Sequence, residues 1–285
     1  MSSGVLFDAP GPRTRARHRL YTIVSLVTLA ALLAFFGYRL YTEGQLEYEK
    51  WEPFVTPRYV RALLVDGLLV TLRMAASSIV LAVVLGVVLG VGKLSEHSWV
   101  RWPCWAVVEF FRAVPVLLLM VLFFYSFGIT RGASGAYWSV VAALTLYNGA
   151  VLAEIFRAGV LAVPKGQREA AYAIGMRKTQ VMSQVLLPQA VKIMLPAIIS
   201  QCVVVLKDTS LGYAVAAPGL TQVGRDLYNG FGNQVPTIFV IASMYIVVNM
   251  MLTWLATRVQ RRFVGERKPL VVLQVTDTGK DSSTL

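Results

Sequence analysis

Cysteine, histidine and charge are all scarce in this chain of 285 residues, whose only cysteines are Cys104 and Cys202 and whose only histidines are His18 and His97. Both cysteines lie inside apolar runs, far from each other and from any histidine cluster, so neither a disulfide framework nor a metal site is indicated. Charged residues make up 15% of the chain against 56% hydrophobic ones, and mean hydropathy is +0.61. That balance excludes an ordinary soluble domain of this size. A phosphate loop is also missing. The stretch Gly86 to Leu94 comes nearest, but a G-x-x-x-x-G-K-[ST] loop ending on Gly92 and Lys93 would need glycine where Val87 stands and a hydroxyl where Leu94 stands. The chain is therefore not expected to hydrolyse ATP. Neither histidine falls in an apolar run, and no convincing serine and histidine pair appears, which counts against an intramembrane enzyme.

What the chain does have is long apolar runs. Six candidate spans are expected at residues 20 to 40, 67 to 92, 104 to 128, 137 to 160, 187 to 207 and 234 to 257, and the segment from Pro53 to Leu64 is expected as an interfacial helix. The run at 20 to 40 is too long for a secretory signal and no small-residue cleavage site follows it, so it reads as a retained helix. Basic residues outnumber acidic ones 27 to 15, a net charge of +12. They cluster before residue 20, between Lys93 and Arg101, between Arg157 and Lys192, and after Arg258, whereas Glu43, Glu47, Glu49 and Glu52 occupy the alternate side. The positive-inside bias therefore places both termini in the cytoplasm of a multi-pass protein of the cell membrane, and it accounts for the basic residues without nucleic acid. Trp51, Trp99, Trp102, Trp105 and Trp138 fall near span ends, where indole rings favour the headgroup layer. Gly86 and Gly90 form a small-xxx-small pair suited to close helix packing. The organisation expected is a basic arm at 1 to 19, a membrane domain at 20 to 262 and a flexible tail at 263 to 285.

The segment Gly166 to Pro188, GQREAAYAIGMRKTQVMSQVLLP, is polar, basic and helix-forming, yet it separates two apolar runs. Helix formers from Glu169 to Ile174, a turn at Gly175 and a second helix from Arg177 to Leu187 are predicted, with small Ala170, Ala171 and Ala173 allowing close approach by a partner. An amphipathic helix lying on the bilayer is the simpler alternative. The words Gly166-Gln167, Glu169-Ala170-Ala171, Gly175 and Leu187-Pro188-Gln189-Ala190 resemble the EAA loop of ATP-binding-cassette importer permeases, in their polar amino acid branch. Val108-Glu109-Phe110-Phe111-Arg112 through Pro115, Ala153-Glu154-Ile155-Phe156-Arg157 and Lys207-Asp208-Thr209-Ser210-Leu211 extend the resemblance over nearly all of residues 65 to 258. Ala113-Val114 departs from the Gly-Thr of many members, and the resulting wording is similar to the D-type subunit of glutamate permeases.

The resemblance implies an all-α integral membrane protein of about six transmembrane helices, with the type I ABC importer permease fold and one extra N-terminal helix. It implies a permease subunit of an ATP-driven importer for a polar amino acid, glutamate being the expected one. Its implied partners are a cytosolic ABC ATPase dimer gripping a coupling loop at 163 to 188, a second permease subunit of different sequence, and an extracytoplasmic amino acid binding protein. ATP and magnesium would sit on the ATPase, leaving no cofactor and no catalytic residue in this chain.

Charges at membrane depth cost about 2.5 to 3.5 kcal/mol each on insertion scales and normally face a bundle interior or a watery cavity. Glu154 and Arg157 are three apart on one helical face, and Gln201 and Asp208 are two turns apart on another. A zwitterionic amino acid needs an anion for its ammonium and a cation for its carboxylate. Asp208 and Glu154 fit the first role, Arg157 the second, and Gln201 offers both donor and acceptor. Thr209 adjoins them in the matching motif. Structural ion pairing of Glu154 with Arg157, and helix capping at Lys207 and Asp208, explain the same residues equally well. Glu109 and Arg112 read as a structural pair, and Asn148 as interhelical glue or a ligand. An ion-coupled secondary amino acid transporter, with Glu154, Asp208 or Asp66 binding the coupling ion, is the alternative, and it leaves the loop unexplained.

Overall fold

The computed structural model describes residues 11 to 264, and every regular element among them is helical. The expected tail from residue 265 onward and the first ten residues of the basic arm lie outside that range. Five helical stretches are long and apolar enough to cross a membrane: Arg13–Thr42, Pro57–Lys93, Val116–Leu161, Lys178–Val215 and Gln234–Arg262.

The stretch Val116–Leu161 has 46 residues and would reach about 69 Å if straight, twice a hydrocarbon core of about 30 Å. It instead reverses. Gly132 has φ +58°, and a Cβ on Gly128 would clash with Gly135 O and Ser139 Oγ, atoms that a straight helix would carry well away. Only hydrogen fits between the two arms. The reversal makes two passes, so six result, in keeping with the six apolar runs.

We label α1 as Pro12–Thr42, α2 as Pro57–Lys93, α3 as Ser98–Ala113, α4 as Val116–Phe123, α5 as Gly132–Leu161, α6 as Lys165–Ala173, α7 as Lys178–Val215, α8 as Leu220–Phe231 and α9 as Gln234–Val264. Two boundaries differ from expectation. The run at 104 to 128 is not one helix, because α3 ends at Ala113 and α4 starts at Val116. Pro115 disfavours helical geometry at the residue before it, and Val114 is extended, with φ −83° and ψ 128°. The segment expected as a separate interfacial helix at 53 to 64 instead enters α2 at Pro57, since the backbone continues through π-helical turns at Ala62–Leu69. Proline at a first helical position starts a helix well.

The chain divides into two compact units, one comprising the described part of residues 1 to 77 with 116 to 143 and 208 to 247, the other residues 78 to 115, 144 to 207 and 248 to 264. In the first, Leu63, Leu220 and Leu227 are buried, with Tyr59, Ile241 and Met244 packed around them. This fixes α8, an amphipathic helix that the count of apolar runs had passed over. Its neighbour Asn233 is wholly buried and donates to the Lys50 carbonyl at 2.9 Å, while Trp51 donates to the Gln45 carbonyl at 3.0 Å.

In the second unit Leu89, Val108, Ala150 and Ala153 form the core. A Cβ on Gly86 would meet Leu152 at 2.7 Å, and one on Gly90 would meet the Ala153 carbonyl at 3.1 Å. The small-xxx-small pair thus packs α2 on α5 within the chain.

Candidate functional site

Segments of three helices that lie in the second unit bring an ionic cluster together. Lys93 ends α2 with its side chain only 4% exposed, and its ammonium pairs with Glu154 of α5 and with Glu109 of α3, the latter at 3.5 Å. Each carboxylate also binds the arginine three residues on. Arg157 Nε donates to Glu154 Oε2 at 2.8 Å, and an Arg112 guanidinium N–H donates to Glu109 at 3.2 Å. Helical spacing explains the outer pairs, because residues three apart share a face. Lys93 is the link between them. Desolvating its ammonium costs several kcal/mol, and two carboxylates offset that penalty.

The cluster lines a cavity of about 870 Å³, together with Arg101, Trp102, Trp105, Val151, Ile155 and Ala158. Four cations, Lys93, Arg101, Arg112 and Arg157, face two carboxylates, Glu109 and Glu154. The lining therefore carries a surplus of two positive charges, and both acids are already engaged.

The other expected binding residues fall elsewhere. Gln201 donates to Asn148 Oδ1 at 2.6 Å, and Asn148, wholly buried, donates to the Leu144 carbonyl at 2.9 Å. The asparagine thus ties α5 to α7. Asp208 and Thr209 belong to the first unit. Asp208 is half-buried, caps no helix through its side chain and has no ion partner among the described residues. Thr209 is buried, and its hydroxyl sits with those of Thr71 and Thr221 around the Tyr245 hydroxyl. Sequence spacing missed Lys93, read there as the cytoplasmic end of a span. One signal was available: Glu109-Phe-Phe-Arg112 and Glu154-Ile-Phe-Arg157 are two copies of one word, each leaving a carboxylate able to accept from a further cation.

The loop between α5 and α7 is folded rather than loose. After α6 the chain reaches Gly175 at φ +80°, whose N–H bonds the Tyr172 carbonyl at 2.9 Å, while the Met176 N–H bonds the Ala171 carbonyl at 3.2 Å. This pair of bonds is a Schellman stop, and the left-handed residue in it favours glycine. Arg177 then starts the next helix, its N–H bonded by the Gln180 side chain at 2.8 Å. Val163, Ala171, Val181, Leu186 and Ala190 form a core under the loop. Ala171 is therefore not part of an outward docking surface, since helical periodicity turns it inward. Ala170, Ala173 and Ile174 remain exposed, Ile174 at 78%. Gly166, Glu169, Leu187 and Pro188 are exposed too, and Gln167 accepts from Gln189 at 3.4 Å. Lys178 pairs with Glu96, and that hydrogen bond, followed by the lysine's charge, holds the Glu96 carboxyl below the usual carboxylate range.

A chain of long apolar helices with a charge-lined cavity and a folded loop at 163 to 188 has the build of a membrane transport subunit. The chain belongs to the family of binding-protein-dependent transport system inner membrane components, which matches residues 82 to 265. The glutamate transport system permease protein GluD of Corynebacterium glutamicum is 41% identical over 238 residues, covering 82% of this chain and 87% of that protein. The glutamate/aspartate import permease protein GltK of Escherichia coli O157:H7 is 31% identical over 208 residues, covering 70% and 92%. Among solved structures, an amino acid ABC transporter crystallised with histidines aligns with TM-score 0.68 and 27% identity, over 73% of this chain and 98% of its own. The fold is that of a type I ABC importer permease, with α1 added at the N-terminus.

Proposed function

We propose that this chain is the membrane-spanning subunit of an ATP-driven importer for an acidic amino acid, glutamate foremost. The observation that carries the substrate is the 41% identity to a glutamate transport permease over most of both chains. The surplus of two positive charges around the cavity agrees with it. In this reading Arg157, Arg112 and Arg101 receive carboxylates, and Glu154 orients Arg157. Gln201 in the second unit, and Asp208 and Thr209 in the first, are each further substrate contacts in this reading, the Asp208 carboxylate meeting the substrate ammonium.

A separate cytosolic ATPase dimer binds ATP and magnesium and grips the loop at 163 to 188 through exposed Gly166, Gln167, Glu169, Ala170, Ile174, Gly175, Leu187 and Pro188. Ala171 serves by packing the loop onto its core. An extracytoplasmic binding protein delivers substrate, and a second permease subunit of different sequence completes the path. Both termini face the cytoplasm. Differential affinity of the ATPase for ATP in two states of the assembly biases the cavity from one side to the other.

The test is uptake of labelled glutamate by cells carrying or lacking this chain, with ATP depleted or the membrane gradient collapsed. Uptake that needs the chain and ATP supports the reading. Uptake that survives ATP depletion and stops with the gradient overturns it in favour of a secondary carrier.

A further inference from the structure

We propose that Lys93 is the specificity-determining residue of the charge-lined cavity: by adding its charge to Glu109 and Glu154, each already paired with its own arginine, it leaves the wall with a net positive charge that selects a solute with a second carboxylate. The inference rests on the reading of this chain as a carrier of an acidic amino acid, and it assigns that preference to a residue in the membrane subunit itself.

Lys93 is the most enclosed charge of the cluster, 4% exposed against 20% for Glu154, 39% for Arg157, 40% for Arg112 and 41% for Glu109. An ammonium so placed is poorly positioned to meet a solute directly. Its contacts are the two carboxylates, contributed by α3 and α5. Without it, each acid would be balanced by its own arginine, and Arg101 alone would supply the surplus charge of the wall. With it, the surplus is two, and Arg112 and Arg157, each bound to its acid through one guanidinium nitrogen, keep further N–H donors for a ligand. An α-carboxylate and a side-chain carboxylate can then both find a planar guanidinium partner. A neutral side chain of the same size finds only one. Trp102 and Trp105 on the same wall are exposed and carry no charge, so they give shape without altering the balance.

The experiment uses the transporter assembly purified through a tag on this chain and placed in nanodiscs, without the binding protein, so that selectivity of the membrane part is read alone. Equilibrium binding of labelled glutamate and labelled glutamine is measured for the native chain, for Lys93→Gln, and for Lys93→Gln combined with Glu109→Gln. The native assembly should bind glutamate at least about tenfold more tightly than glutamine, as expected where one charge pair a few ångströms apart is gained. Lys93→Gln should lower glutamate affinity about tenfold and leave glutamine within about twofold. The double variant restores the surplus of two charges and should recover glutamate binding. If Lys93→Gln fails to assemble, the double variant, in which the loss of one cation is matched by the loss of one acid, still tests the idea, because it should retain the glutamate preference. Equal losses for both solutes, or an assembled double variant that does not prefer glutamate, overturn the role of Lys93 while leaving glutamate transport intact. Tighter binding of glutamine than of glutamate by the native assembly overturns the acidic-substrate reading itself.

Discussion

Lys93 and Glu154 lie 61 residues apart in the chain and form one ion pair that joins the end of α2 to α5. Replacing Glu154 with alanine leaves the buried ammonium with Glu109 alone, at 3.5 Å. A charged group that loses a partner in a mostly buried place costs about 2 kcal/mol. Thermal unfolding of the detergent-purified assembly should show Glu154→Ala well below the native protein, with Glu154→Gln in between. Equal unfolding temperatures would mean that the pair contributes nothing to stability.

Gly175 at φ +80° terminates α6. A leucine there must adopt a left-handed backbone at about 1 to 2 kcal/mol or unwind the stop. No atom crowds the position, so the chain can still insert. Gly175→Leu should appear in the membrane at native levels and transport less than about a tenth as fast. Normal uptake would show that the turn's geometry is irrelevant to coupling.

Gly128 and Gly135 touch where α4 turns into α5. Either residue as valine places carbon where the other arm's backbone already is. Gly135→Val should reduce folded yield severely, whereas a change at Gly132, which has open space around it, should be limited to backbone strain. Gel filtration of the two variants separates the cases.

The sequence made much of this legible. Apolar runs gave the passes, because a membrane helix must satisfy every backbone group internally and so appears as one long stretch. The stop at Gly175 was legible because glycine between two helix-forming segments has a local meaning. The hairpin at Gly128 to Gly135, the break at Pro115 and the amphipathic α8 were less so, since they depend on what packs across from them. Lys93 was least legible. Its role arises from two acids on other helices, and no local pattern near Gly92-Lys93 announces them.

Glu96 offers a pH test outside the apolar helices. Lys178 lowers its pKa in the folded protein, so the pair's contribution is present above the unfolded carboxyl pKa and is lost as pH falls through the lower folded value. Lys178→Met should raise the Glu96 pKa back toward the ordinary range. Carbon-detected NMR of a labelled Glu96 side chain would register it, and an unchanged titration would mean the contact is not formed in solution.

Asp208 has no ion partner among the described residues. Asp208→Lys should therefore abolish glutamate uptake without lowering the amount of protein in the membrane. Unchanged uptake and unchanged selectivity would assign Asp208 a purely structural place.

The most direct measurement is glutamate accumulation in vesicles holding the purified assembly, its binding protein and an ATP supply, compared with vesicles holding this chain alone under a proton or sodium gradient. Accumulation should require ATP on the side of the 163 to 188 loop and should vanish with Gly175→Leu. Accumulation by the chain alone, driven by either gradient, would contradict the account.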